Sequence, residues 1–77
     1  MDDRAAAVVD VRDMLCAQAL ALVDRTVRQA PARTPVDVIG NSADVRRDVS
    51  AWAGSLGHAV VSNDGPDDEW RMRVQRT

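Results

Sequence analysis

Cys16 is the only cysteine of the chain, and it stands where two residue patterns meet. Upstream lies a short apolar run, Ala5 to Val9; downstream, from Ala17 to Ala30, apolar and polar residues recur with a helical period. That order predicts a strand handing over to a helix, with the thiol at the helix start. Free N–H groups and the positive end of the helix dipole stabilise an anion there. A cysteine so placed tends toward the thiolate, the form that does sulfur chemistry. Arg12 is a candidate second stabiliser. A packing role is the competing reading. Leu20, Val23 and Val27 follow Cys16 at i+4, i+7 and i+11, a stripe in which a cysteine serves as a small buried hydrophobe.

Other residues offer less chemistry. His58 is the single histidine, and one His with one Cys cannot make an ordinary zinc site. It reads as the start of a strand with a local hydrogen bond. Asp10 and Asp48 read as turn and helix-surface carboxylates. Arg46 and Arg47, with Arg25 and Arg28, suit either a docking strip for a partner or a solvated helix face. Asp64, Asp67, Asp68 and Glu69 lack the alternating ligands of a calcium loop. No cofactor-binding motif is present.

The elements that must position Cys16 fit in one small domain of 77 residues. With no Phe or Tyr, the core must be built from Val, Leu and Ala, with Trp52 and Trp70 as its large members. Twelve acidic against ten basic residues give a net charge of −2, and no aromatic platform lies on a basic face. Both features argue against nucleic-acid binding. No stretch approaches membrane-spanning length, the acidic N-terminus does not suit a signal peptide, and a lone thiol suits the reducing cytoplasm.

In chain order, residues 1–4 are charged and Ala5 to Asp10 reads as the first strand. Arg12 to Leu15 turns into a helix from Cys16 to Ala30. Asp13 is placed to cap its N–H groups, and Leu15, Ala19, Leu22, Val23, Thr26, Val27 and Ala30 share one face. Pro31 ends it. Val36 to Ile39 is a second strand. Ser42 caps a second helix whose stripe is Val45, Val49, Trp52 and Leu56, and Gly57 suits the position past its end. His58 to Ser62 makes a third strand around Val60 and Val61, and Asn63 to Asp68 a turn. A fourth strand starts at Trp70, with Trp70, Met72 and Val74 buried and Arg71 and Arg73 on the open face or an edge. The predicted fold is an α+β two-layer sandwich, βαβαββ, with two helices on one face of a four-stranded mixed sheet.

These residues carry a resemblance. Val9-Asp10 ahead of Cys16, the text Ala21-Leu22-Val23-Asp24-Arg25-Thr26-Val27-Arg28, the segments Asn41-Ser42-Ala43 and Asp48-Val49-Ser50, and the pair Gly57-His58 resemble, at matching spacing, the TusA/SirA family of small sulfur-carrier proteins. The resemblance spans nearly the whole chain. It departs at the family's Cys-Pro-x-Pro motif, here Cys16-Ala17-Gln18-Ala19, at Asp13 in place of Gly, and at Ala43 and Ser50 in place of Pro. Asp is among the few non-glycine residues that tolerate a left-handed backbone, which preserves the turn at Asp13. The resemblance implies that Cys16 accepts sulfane sulfur as a persulfide from a cysteine desulfurase and passes it to a downstream acceptor protein. The chain would then be a carrier and not a turnover enzyme by itself. Asp10, Arg12, Asp13, Arg25, Arg46, Arg47, Asp48 and His58 are the supporting or docking candidates. A non-catalytic interaction module on the same fold is the alternative.

Overall fold

The computed structural model describes residues 7–76. The expected strand start at Ala5 and Ala6, and the charged residues 1–4, lie outside the described residues. The elements run β1 (Ala7–Asp10), α1 (Cys16–Gln29), β2 (Pro35–Gly40), α2 (Ala43–Ser55), β3 (Ala59–Asp64) and β4 (Trp70–Gln75). The sheet order is β1-β2-β4-β3, with β1 and β2 parallel and the other pairs antiparallel. This is the predicted βαβαββ arrangement with a mixed four-stranded sheet.

One face of the sheet is apolar because alternate strand residues point to it. Val36, Val38, Met72, Val74 and Trp70 are each at most 1% exposed and join Ala19, Val23, Val27, Val45, Val49 and Ala53 of the helices in a single core. Trp70 is its largest member. The indole Nε1 donates to the Ser42 carbonyl at 3.0 Å, and a Cβ at Gly40, its cross-strand partner, would overlap the ring. Gly40 therefore makes room for Trp70.

The helix ends follow their sequences. Ser42 Oγ accepts from the Val45 N–H at 3.4 Å. At the other end of α2, Gly57 takes φ 78°. His58 N–H donates to Ala53 O and Gly57 N–H to Gly54 O, the paired bonds of a Schellman motif. Arg76 closes α1 by donating to the carbonyls of Arg28 and Ala30, a cation placed at the negative end of the helix dipole.

Several expectations are corrected. Asp13 does not cap α1: Leu15 occupies the cap position, and the Gln18 side chain reaches back to accept its N–H at 3.2 Å. Leu15 and Leu56 are 73% and 51% exposed, and the stripe of α2 closes through Ala53 instead. β3 begins one residue later than expected and absorbs Asn63 and Asp64, because pairing with β4 continues as far as Asp64 opposite Arg71. It is an edge strand with a register shift between Val60 and Ser62, so Val60 and Val61 are exposed.

The open face centres on a charge. Asp37 is buried beneath Arg71 and Arg73 of β4. Arg73 Nε and Arg71 Nη2 each lie 2.7 Å from a different carboxylate oxygen. The Arg73 hydrogen bond, helped by that of Arg71, holds the Asp37 carboxyl below the usual range against the cost of burial. A depressed folded pKa contributes stability above the unfolded value, near 3.9, and loses it as pH falls through the folded value. Urea unfolding of wild type should therefore show a midpoint that drops on acidification below about pH 4. Asp37→Ala should lower stability by about 2–3 kcal/mol at neutral pH, less than a fully buried pair because both arginines are partly exposed, and flatten that acid dependence.

Candidate functional site

Two loops at one end of the sheet build the surroundings of Cys16. Leaving β1, Val11 N–H donates to Ile39 O at 2.8 Å, and Met14 N–H closes a turn on Val11 O. That turn requires a left-handed residue, and Asp13 supplies it at φ 64°. The second loop, leaving β2, contributes Asn41. Asp13 N–H donates to Asn41 Oδ1 at 3.0 Å, and Asn41 Nδ2 donates to Asp13 Oδ1 at 2.9 Å. Asn41, read from sequence only as a turn residue, thus ties the two loops together.

Cys16 is the first residue of α1 and is half-buried, its inner side against the core. The thiol is therefore neither sealed in the interior nor fully open. The helix start favours a thiolate, yet the local charges reverse that expectation. A hydrogen bond to the Asp48 carboxylate of α2 raises the Cys16 thiol above its ordinary pKa; desolvation and the charges of Asp48 and Asp44 add to the rise, and Arg47 opposes it. The expected lowering of the thiol is therefore corrected. Asp48, read as a helix-surface carboxylate, is half-buried and meets Cys16 across the helix pair.

Arg12 does not serve the thiol. Its guanidinium grips Asp10 with two nitrogens, Nε at 3.0 Å and Nη2 at 2.7 Å. The Arg12 N–H adds a third bond to Asp10 Oδ1. These bonds pull the Asp10 carboxyl down to about 2.

The proposed arginine strip also divides. Arg46 is largely buried and clamps the β3–β4 hairpin, donating to Asn63 Oδ1, Gly65 O and Asp67 Oδ1. Arg47 pairs with Asp44 at 2.6 Å and Arg28 with Asp24 at 3.0 Å, both on exposed helix faces, and Arg25 is exposed on α1. His58 precedes β3, lies 5.4 Å from Trp52 between ring centroids with the rings tilted by 53°, and leaves its buried Nδ1 without a partner. The local hydrogen bond that His58 does make runs from its backbone N–H to Ala53 O at 2.9 Å. Among the described residues no group of three or more His, Cys, Asp or Glu side chains is placed to hold a metal ion. No helix there is long and apolar enough to cross a membrane.

The chain is similar to known proteins. The family model for the sulfurtransferase TusA matches residues 7–76. A protein of Archaeoglobus fulgidus, whose given name proposes it as a sulfur carrier protein, is 28% identical over 69 residues, covering 90% of this chain and 94% of its own.

Alkylation of Cys16 across a pH series tests the thiol's electrostatics. Wild type should titrate above free cysteine, whose pKa is about 8.5. Asp48→Asn, nearly isosteric but uncharged, should move the midpoint down. An unmoved midpoint would show that Asp48 does not control the sulfur.

Proposed function

The chain belongs to the TusA sulfurtransferase family, and from that premise we propose that it carries sulfane sulfur as a persulfide on Cys16. The observation that supports this reading most directly is the placement of a part-exposed thiol at the first position of α1. There, N–H groups of the first turn are free to meet an anionic sulfur.

The chemistry needs no cofactor on this chain. Cys16 loses its proton, and its thiolate attacks the terminal sulfur of a persulfide on a cysteine desulfurase. The donor's S–S bond breaks, its cysteine leaves as thiolate, and a Cys16 persulfide remains. In the second transfer a nucleophile on the acceptor protein attacks the outer sulfur and Cys16 returns as thiolate. Tracing both steps leaves the protein unchanged, so it is a carrier between two partners and not a turnover enzyme by itself. Acceptors in tRNA thiolation, cofactor assembly or a specialised sulfur metabolite all satisfy this scheme.

The rise that Asp48 imposes on the Cys16 thiol favours a second reading: a non-catalytic interaction module. Intact mass separates the two. Incubation with a cysteine desulfurase, pyridoxal phosphate and cysteine should add one or more sulfur atoms, removable by reductant and absent in Cys16→Ser. No gain with several desulfurases, together with a Cys16 that resists alkylation in the folded protein, would discard the carrier and leave the module.

A further inference from the structure

The turn that delivers Cys16 to the start of α1 is held in an unusual way. Its left-handed position is filled by Asp13 at φ 64°, a conformation uncommon for residues with a side chain, though Asp tolerates it better than most. The first turn of α1 reads Cys16-Ala17-Gln18-Ala19, with no proline to preset its backbone. The cap is Leu15, whose side chain cannot accept from the first-turn N–H groups, and the Gln18 side chain accepts the Leu15 N–H. Local sequence therefore does little to fix the helix start.

What does fix it lies on the other loop. Asn41 accepts the Asp13 N–H and donates to the Asp13 carboxylate, at 3.0 and 2.9 Å. The amide at 41 makes both bonds at once: its oxygen takes the backbone N–H while its nitrogen donates to the Asp13 side-chain oxygen. The adjacent residue, Ser42, caps α2. The same short segment thus sets the starts of both helices, which pack against one another.

We propose that Asn41 is a positioning residue for Cys16, acting through its reciprocal hydrogen bonds with Asp13 to hold the start of α1 in register with α2. The inference rests on Cys16 being the working thiol of the proposed carrier. Asp13 and Asn41 form one unit in it. An acid at 41 would set two carboxylates face to face, whereas exchanging the residues restores both bonds with the net charge unchanged.

Amide hydrogen exchange and the pH profile of Cys16 alkylation test this without any sulfur donor. In Asn41→Ala and in Asn41→Asp, the amides of residues 13–19 should exchange roughly tenfold faster, the loss expected for about one net hydrogen bond. Val38 and Met72 in the core should stay protected. The alkylation midpoint of Asn41→Ala should move toward that of free cysteine as the Asp48 contact loosens. The exchanged pair, Asp13→Asn with Asn41→Asp, should return both readouts to wild type, and Asp13→Asn alone, which keeps one bond between the side chains, should stay near it. Faster exchange with an unmoved Cys16 profile would reduce the pair to a structural clasp and overturn the positioning role. An unrescued Asn41→Asp would overturn the pairing itself. Failure of persulfide loading with these results intact would instead count against the carrier reading alone.

Discussion

The indole of Trp70 is the contact on which this small fold depends. In a core otherwise made of valines, alanines and one methionine, it supplies the single large apolar body. Its position demands two things of β2. Gly40 must lack a side chain, and the Ser42 carbonyl must lie within reach of Nε1. Those demands fix where β2 ends. Asn41 and Ser42 follow at once, the first gripping the loop that carries Cys16 and the second capping α2. Core packing and the geometry of the thiol thus meet in three consecutive residues.

Charge is arranged differently on the two faces of the sheet. On the open face, Asp37 is buried but answered by two arginines, so its desolvation is offset by charge-assisted bonds. At the edge of the helix layer, Asp48 raises the pKa of the Cys16 thiol, and the nearby acid Asp44 is occupied by Arg47. One carboxylate organises the sheet. The other tunes the sulfur.

Much of this was legible in the sequence, and the limits have physical causes. Both helices could be placed from their periodicity, from Ser42 and from Gly57, because those signals are local. The β-branched run Val60-Val61 marked a strand but not its place in the sheet, since an edge strand and a central one share the same residue preferences; β3 pairs only with β4, with a register shift at this run. Asp37, sitting between two valines, revealed its partners only once register set Arg73 opposite and Arg71 diagonally across. Asn41 carried a turn signal and nothing more. The thiol was misjudged for the same reason: the helix start that lowers it is written beside Cys16, whereas the carboxylate that raises it belongs to the other helix.

A raised thiol is less damaging to a sulfur carrier than the loss of thiolate alone suggests. The rate of attack on a sulfane sulfur depends on the thiolate fraction and on the nucleophilicity of each thiolate, and the second grows with basicity, with a Brønsted coefficient of about 0.4–0.5. On a logarithmic scale, nearly half of what Asp48 removes in population returns in reactivity. The same proton also guards the resting protein, because oxidants and stray electrophiles react with thiolate far faster than with thiol. A part-exposed cysteine, held protonated by a neighbouring carboxylate and kept in place by a loop clasp, is thus compatible with transfer between partners. In the proposed carrier, the helix N-terminus would remain available to an anionic persulfide on Cys16.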